Sequence, residues 1–149
     1  MMTRLWPCCI ATFMMRLVID SRLQEIERAT NLVMAFGERH GLPARDADAL
    51  CVVLDELLSN AIRHGLDGAA GHEIRLALGY DANEVTVEIE DDGAAFDPTQ
   101  APDPVLATTL ADRKPGGVGI AFVRNLTDSF EYQRVGDRNR VVLRRKVAV

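Results

Sequence analysis

Two amphipathic helical segments followed by a pair of alternating strands constrain the fold of this chain more than any other feature. Apolar residues recur at helical spacing over residues 23–40 and again over residues 44–64. Residues 73–80 and 85–89 alternate between apolar and polar side chains and flank the turn Asp81-Ala82-Asn83, which predicts an antiparallel hairpin. Because each element has one apolar face, we expect the helices to cover one face of a sheet that contains the hairpin.

The remaining elements complete an α+β order. Residues 15–19 read as a strand, residues 119–126 as a helix, and residues 129–135 and 141–147 as two strands joined at Gly136-Asp137. The predicted order is therefore β-α-α-β-β-loop-α-β-β. This segregation of helices and hairpins predicts an α+β domain with a mixed, mainly antiparallel sheet and helices on one face.

Both long helices carry end signals. Asp20 or Ser21 is expected to cap the first helix, because a side-chain oxygen there can accept a hydrogen bond from a free N–H of the first turn. Gly41 ends the first helix and Gly65 ends the second. These signals separate the two helices from each other and from the hairpin.

The length of 149 residues fits one domain with a substantial core, which we place at residues 15–149. The preceding residues 1–14 are apolar, but they are too few to span a bilayer, and no small-residue cleavage site follows them. We interpret them as a loosely ordered extension, or as the product of an upstream start codon with the natural start at Met14 or Met15.

Net charge and cysteine content narrow the class of protein. The net charge of −5 argues against a general nucleic-acid-binding protein, which is usually basic. The three cysteines, Cys8, Cys9 and Cys51, form neither a disulfide framework nor a CxxC zinc motif. A reducing, cytoplasmic setting without direct contact to nucleic acid or membrane is therefore expected.

A carboxylate and an amide lie one turn apart on the second helix. Glu56 and Asn60 are spaced i, i+4, and His64 continues the same stripe. A side-chain amide oxygen suits Mg²⁺, and a carboxylate beside it can accept a proton from an incoming nucleophile. Because an isolated E-x-x-x-N pattern is more often a solvated helix face, this interpretation needs support from elsewhere in the chain.

The end of the second hairpin strand is acidic. Asp91 could accept a hydrogen bond from an exocyclic amine such as that of adenine, and Gly93 would let the ring approach the backbone closely. The alternative is an acidic turn, which is common in loops.

A glycine-rich segment opens the third helix. In Gly116-Gly117-x-Gly119 the backbone N–H groups can face an anion, and the positive end of the helix dipole adds to the attraction. Arg113 and Lys114 just before it could reach phosphates. A flexible turn with exposed charges is the alternative.

A long irregular segment separates the acidic strand end from the glycine-rich one. Residues 93–117 show no sustained period and hold four of the six prolines. Such a segment inside a compact domain is usually functional and often a lid. A nucleotide site closed by a lid is therefore the interpretation that joins these segments.

Taken together and in this order, three motifs resemble those of the GHKL ATP-binding superfamily and, within it, of the bacterial anti-sigma-factor serine/threonine kinases. They are DELLSNAIRHG at 55–65, EIEDDGAAFDP at 88–98 and GGVGIAFVRNLTDSFEY at 116–132. The resemblance covers about residues 15–147. It implies the two-layer α/β sandwich called the Bergerat fold, with ATP and Mg²⁺ as cofactors.

The resemblance also implies roles for single residues. Glu56 would be the catalytic base, Asn60 would ligate Mg²⁺, and Asp91 would bind the adenine amino group. Residues 94–116 would form the ATP lid, and two glycines of the last motif would contact the phosphates. The other nucleotide-binding residues so implied are His64, Gly93, Phe96, Lys114, Gly116, Gly117, Val118, Gly119 and Ile120.

One residue departs from the family pattern. The first glycine motif often reads D-x-G-x-G, but Ala95 stands at the second glycine of this chain. An alanine there is expected to stiffen the lid hinge or to alter its approach to the nucleotide. Because chains with a non-glycine residue before Phe-Asp-Pro resemble a subset of the family, nucleotide binding is still implied.

By the same resemblance, the chain would be an ATP-dependent protein serine/threonine kinase that acts as an anti-sigma factor. It would phosphorylate a serine of a STAS-type anti-sigma antagonist, bind a sigma factor and form a homodimer. One alternative is a switch protein that binds nucleotide without transferring phosphate, which the presence of Glu56 disfavours. Another is the ATPase module of a histidine kinase, although the chain lacks room for a phosphoacceptor helical hairpin.

Overall fold

The computed structural model describes residues 13–66, 70–100 and 117–147. The extension predicted for residues 1–14 lies outside these ranges except for its last two residues, whose backbone joins the first strand. Within the described ranges, no helix is both long and apolar enough to cross a membrane.

In the part of the chain that the structure describes, five strands form one sheet in the order β1-β2-β3-β5-β4. Their bounds are Phe13–Asp20 for β1, Glu73–Asp81 for β2, Glu84–Asp91 for β3, Ser129–Val135 for β4 and Arg138–Lys146 for β5. All four strand pairings are antiparallel, so the described sheet contains no parallel pair of the kind that a mixed sheet would include. The predicted α+β class is confirmed.

Three α-helices of the described residues pack on one face of this sheet and on one another. Their bounds are Ile26–His40 for α1, Ala44–Asn60 for α2 and Gly117–Leu126 for α3. Gly41 ends α1 in the left-handed conformation (φ 66°), as predicted, because glycine adopts this conformation without steric cost. The result is the expected two-layer sandwich of helices over a sheet.

The core lies between the helices and the sheet. Alternate residues of the hairpin strands face the helices and are almost fully buried, namely Ile74, Leu76, Leu78, Val85, Val87 and Ile89. The helices contribute residues of their apolar stripes, among them Val33, Phe36, Leu50, Val53, Leu54, Leu57 and Leu58. Full burial of each such side chain contributes about 1.5–3 kcal/mol, so this layer sets the position of α2 on the sheet.

The hairpin between β2 and β3 turns through two residues in the left-handed conformation. Ala82 and Asn83 have φ values of 50° and 60°. Positive φ at both central residues is typical of the turn whose twist matches that of paired strands. The turn predicted at 81–83 is confirmed.

The predicted cap of the first helix is wrong. A short 3₁₀ turn, Leu23–Glu25, precedes α1, and no side chain caps either element. The Asp20 carboxylate instead accepts hydrogen bonds from the N–H groups of Ser21 and Gly71, each at 2.8 Å. The Ser21 hydroxyl accepts one from His72 N–H at 3.1 Å. Both side chains therefore hold the end of β1 to the segment before β2.

The central strand β3 is buried on both faces. Glu88 and Glu90 point away from the helices and are each 1 % exposed. Glu88 pairs with Arg140, and Glu90 lies 3.6 Å from Arg138. These ion pairs between β3 and β5 make burial of the two carboxylates possible, because an unpaired buried charge is strongly unfavourable.

A buried ion pair joins the start of α2 to the end of β5, and its loss should destabilise the fold. Arg145 lies 2.9 Å from the Asp46 carboxylate, which is 2 % exposed, and donates a 2.7 Å hydrogen bond to the Leu126 carbonyl. We expect Arg145→Ala to lower the free energy of unfolding by about 2 kcal/mol, because the Asp46 charge stays buried without its partner. Urea denaturation measures this.

The matched control is Arg75→Ala, which breaks the exposed pair of Arg75 with Glu73. Exposed pairs contribute little, so the control should change stability by less than about 0.5 kcal/mol. Equal losses in the two variants would contradict a structural role for the Arg145 pair.

Candidate functional site

Asn60, the predicted metal ligand, is the last residue of α2 before the helix changes pitch, and Glu56, the predicted base, lies one turn earlier. The α2 helix is regular as far as Asn60 and continues as one π-helical turn over Ala61–Gly65, with a 2.9 Å bond from Leu66 N–H to the Ala61 carbonyl. Single π turns inside helices are frequent at functional sites. The helix predicted to reach His64 therefore has the expected extent but a wider last turn.

The Glu56 carboxylate lies against the start of α3. A Cβ atom placed on Gly119 would lie 1.7 Å from Glu56 Oε2 and 2.1 Å from its Cδ, so only glycine leaves room for this side chain. Asn60, one turn further along α2, is buried, with 5 % of its surface exposed. The fold thus brings a carboxylate and a helix start together, and free N–H groups at a helix start attract anions.

A mainly apolar pocket opens beside these residues, between the end of α2 and the sheet. Its lining includes Leu57, Ile89, Asp91, Phe96, Asn139 and Val141. The cavity is small, about 20 Å³, and its apolar walls with one or two polar groups have the composition typical of small-molecule sites. A carboxylate in such a pocket accepts hydrogen bonds only, which fits a ligand that carries an exocyclic amine.

Asp91 ends β3 and is 5 % exposed. Its Oδ1 atom accepts two hydrogen bonds, from Gly93 N–H at 2.8 Å and from the Asn139 side-chain amide at 3.0 Å. Hydrogen bonds to a buried carboxylate offset the loss of its hydration. The predicted base-recognition residue therefore lies in the pocket with its position fixed from two sides.

Gly93 is required by close backbone packing. A Cβ atom at this position would lie 2.5 Å from the Gly65 carbonyl oxygen and 2.9 Å from Leu66 Cδ2. The next residue, Ala94, donates a 2.9 Å hydrogen bond to the same Gly65 carbonyl. The π turn and the loop after β3 therefore touch backbone to backbone, which joins the first two motifs at the pocket edge.

The loop after β3 is also held from its other side. The rings of His64 and Phe96 stack with centroids 5.4 Å apart and planes 27° apart, which links the π turn to the pocket wall. Asp97 accepts a 2.9 Å hydrogen bond from Thr99 N–H, and Arg124 of α3 donates one of 2.6 Å to the Thr99 carbonyl. The two predicted residues His64 and Phe96 are thus in contact beside the pocket.

The remaining predicted residues fall in or next to the glycine motif. Lys114 and Gly116 lie outside the described residues, as does most of the predicted lid. The backbone of Gly117 and Val118 begins α3, and Gly119 follows in its first turn. Ile120 is 2 % exposed and its side chain belongs to the core, so only its backbone is available to a ligand.

The Asn60 side chain offers an amide oxygen, a ligand type that Mg²⁺ accepts. Within the described ranges, no three His, Cys, Asp or Glu side chains are grouped so that they could hold a metal ion. Mg²⁺ commonly takes one or two protein oxygens and completes its shell with water and phosphate. The Asn60 amide, one helical turn after Glu56, would be such a protein oxygen.

Sequence reasoning did not find Asn139. This residue is the pairing partner of Asp91 across β3 and β5, is 4 % exposed and lines the pocket. No motif marks it, since it stands in an ordinary strand between two arginines. The one available signal is an amide in a strand that is otherwise basic and apolar.

The sheet, its single helical layer and a pocket between the end of α2 and the sheet define a two-layer nucleotide-binding domain of the GHKL type. The chain belongs to the histidine kinase-like ATPase domain family, whose model matches residues 19–145. The resemblance expected from the three motifs is confirmed by this match.

Relatives with named activities share most of the chain. The serine/threonine-protein kinase BtrW of Bordetella bronchiseptica is 38 % identical over 110 residues, which are 74 % of this chain and 76 % of that protein. An anti-sigma F factor of Thermoanaerobacter is 23 % identical over 131 residues, or 88 % of this chain and 91 % of the relative.

A solved structure shares the fold. The crystal structure of the RsbU and RsbW domains of Rv1364c from Mycobacterium tuberculosis superposes with a TM-score of 0.59 at 16 % identity. The match covers 89 % of this chain and 32 % of that longer chain. At this identity, the likeness extends to the fold alone.

Proposed function

We propose that this protein is an ATP- and Mg²⁺-dependent protein serine/threonine kinase that acts as an anti-sigma factor. The observation that carries the proposal is the contact between the Glu56 carboxylate and the start of α3 at Gly119. A proton acceptor at that place would lie beside the phosphates of a nucleotide whose base occupies the Asp91 pocket. The 38 % identical relative named as a serine/threonine-protein kinase supports the same activity.

In this proposal the main tasks of the chain are to position the nucleotide and to neutralise the charge of its phosphates. Asp91 accepts the hydrogen bond of the base amine, and the N–H groups at the start of α3 hold the phosphates. Mg²⁺, held by Asn60 when bound, would neutralise phosphate charge. Glu56 accepts the proton of the serine hydroxyl as that oxygen attacks the γ-phosphorus, and the bond from phosphorus to the bridging oxygen breaks so that ADP leaves.

The partners proposed here are a sigma factor, a STAS-type antagonist and a second copy of this chain. The relatives named anti-sigma F factor support a sigma factor as one partner. A STAS-type antagonist would carry the serine that is phosphorylated, and a second copy of this chain would complete a homodimer.

The decisive experiment measures transfer to a protein. The full chain is incubated with ATP, Mg²⁺ and a purified STAS-type antagonist of the same organism, and the intact mass and modified residue of the antagonist are determined. Gain of one phosphoryl group on a serine, absent with Glu56→Gln, is expected. Nucleotide binding without transfer would contradict the kinase proposal and favour a non-catalytic switch. Unchanged transfer by Glu56→Gln would contradict the assigned base.

Mg²⁺ dependence of nucleotide binding tests the proposed role of Asn60. Removal of one ligand of a bound metal leaves its coordination incomplete, so Asn60→Ala should bind ATP no more tightly with Mg²⁺ than without it. Calorimetric titrations of wild type and variant, each with Mg²⁺ and with a chelator, measure this. An undiminished response to Mg²⁺ in the variant would contradict the assignment.

The pH dependence of transfer tests the environment of the base. Burial, and after it the neighbouring Asp55 carboxylate, raises the pKa of Glu56, while Arg63 acts in the opposite direction. Because a base must be deprotonated, transfer should fall on acidification at a higher pH than an ordinary glutamate would give. Asp55→Asn should move this limb to lower pH and Arg63→Gln to higher pH. Rate profiles that shift in the same direction for both variants would contradict the assignment.

A further inference from the structure

Asn139 is the most highly connected side chain of the pocket. Its Nδ2 group donates to Asp91 Oδ1 at 3.0 Å and to the Ala94 carbonyl at 2.8 Å. Its Oδ1 atom accepts from Phe96 N–H at 3.2 Å, from the Tyr132 hydroxyl at 2.6 Å and from Arg134 Nη1 at 3.1 Å. The amide therefore pairs with the loop at 94 and 96 much as a neighbouring strand would.

These contacts leave the amide only one acceptable orientation. All the partners of Nδ2 are acceptors, and all the partners of Oδ1 are donors. Exchange of the oxygen and nitrogen atoms would place like groups against each other at every contact except that with the Tyr132 hydroxyl, which can also accept. Asn139 thus presents a donor to Asp91 under all conditions in which the pocket is formed.

The two carboxylate oxygens of Asp91 therefore have different roles. Both hydrogen bonds that it receives within the described part of the chain, from Asn139 and from Gly93 N–H, end on Oδ1. This leaves Oδ2 as the acceptor for a ligand. A carboxylate oxygen held in this way can pair with a 6-amino group but is repelled by a 6-oxo group, which is also an acceptor.

We infer that Asn139 is a positioning residue that sets the base specificity of the nucleotide site, by holding Asp91 and the loop 93–96 in the geometry that selects a 6-amino purine. The inference rests on the proposed nucleotide-binding function. Without the Asn139 amide, Asp91 keeps only the bond from Gly93. The loop loses its three bonds to β5 and keeps the one that Arg134 of β4 donates to the Gly93 carbonyl.

The test compares ADP with inosine diphosphate, which carries a 6-oxo group in place of the 6-amino group and a hydrogen on N1. Calorimetry on the full-length wild type should show roughly 10- to 100-fold tighter binding of ADP, the range expected for one hydrogen bond to a charged group. In Asn139→Ala the preference should fall to about threefold or less, mainly through weaker ADP binding. Asn125→Ala, which removes an exposed amide of α3, is the control and should keep the wild-type preference.

The ratio of the two affinities separates positioning from loss of structure. A merely structural role would lower the melting temperature and weaken both ligands equally, so an unchanged ratio in Asn139→Ala overturns the inference. If the wild type binds neither diphosphate, the proposed nucleotide function fails first. If the wild type prefers ADP and the variant does so equally, only the inference about Asn139 fails.

Asn139→Asp gives a second readout that keeps the shape of the side chain. Two carboxylates would then share the place where the amide donates to Asp91, with Arg134 as the neighbouring cation, so ADP binding at neutral pH should be weaker than in Asn139→Ala. Acidification should restore it in part, because one shared proton re-creates the donor. Binding by Asn139→Asp that follows wild type at every pH would count against the inference.

Discussion

Gly93→Ala should destabilise the fold by about 3 kcal/mol and abolish measurable nucleotide binding, since overpacking against backbone cannot relax easily. The added Cβ atom would lie 2.5 Å from the Gly65 carbonyl oxygen and 2.8 Å from its carbonyl carbon. These are main-chain atoms of the π turn, which cannot rotate away as the end of a side chain can. Relief requires separation of the loop after β3 from α2, and that movement opens the pocket at Asp91.

Thermal and urea unfolding measure the stability term, and calorimetry with ADP measures the loss of binding. For a chain of this size, a loss of about 3 kcal/mol corresponds to a fall in melting temperature of roughly 6–12 °C. The matched control is Gly65→Ala, on the other side of the same contact, where an added Cβ meets nothing closer than 3.9 Å.

The control should retain stability within about 1 kcal/mol, because alanine in a helical turn loses less conformational entropy on folding than glycine. If Gly93→Ala proved as stable as Gly65→Ala, the backbone contact between the two motifs would not exist as described. The pair of variants therefore tests the geometry that joins the first two motifs, independently of any catalytic role.

Local patterns predicted the elements because each pattern has a local cause. Period 3.6 over residues 44–64 follows from one apolar helix face, and Gly41 ends α1 because its left-handed conformation suits glycine. The cap failed for a non-local reason: Asp20 and Ser21 are used by Gly71 and His72, about 50 residues further along. A capping residue in the sequence does not reveal which of two N–H groups it will bind.

The second buried face of β3 was likewise beyond sequence reasoning. Alternation predicted one apolar face for this strand and made no prediction for the glutamates on the other. Glu88 and Glu90 are nevertheless buried, since Arg140 and Arg138 of β5 pair with them across the sheet. Which strand lies beside β3 depends on the crossover order of the sheet, and no local pattern encodes that order.

The candidate site shows the same division between local and non-local information. The motifs marked Glu56, Asn60 and Asp91 because residue type and spacing carry their chemistry. Asn139 and the π turn escaped because their importance comes from partners distant in the chain. The contact of Glu56 with Gly119 lies between these cases, since both residues were predicted for one site but their direct contact was not.

That contact leads to the prediction with the largest expected effect on activity: Gly119→Ala should reduce phosphoryl transfer by roughly 10²- to 10⁴-fold, the usual contribution of a positioned proton acceptor. The alanine Cβ would take the place of the Glu56 carboxylate, 1.7 Å from Oε2. Only the end of a flexible side chain is displaced, so the free energy of unfolding should change by less than about 1 kcal/mol. Loss of transfer with stability retained distinguishes this variant from Gly93→Ala.

A double-mutant cycle determines whether the loss acts through Glu56. If displacement of the carboxylate is the whole effect, Gly119→Ala should cause little further loss in a Glu56→Ala background, where nothing remains to be displaced. Single-turnover transfer rates of the four proteins, with ATP affinity measured in parallel, provide the cycle. If Gly119→Ala lowers the transfer rate equally in both backgrounds, Gly119 acts directly on the phosphates. ATP binding should then also be weaker in both backgrounds. Strong coupling with unchanged ATP affinity would place the proton acceptor of the reaction at Glu56, because only that side chain connects the two substitutions.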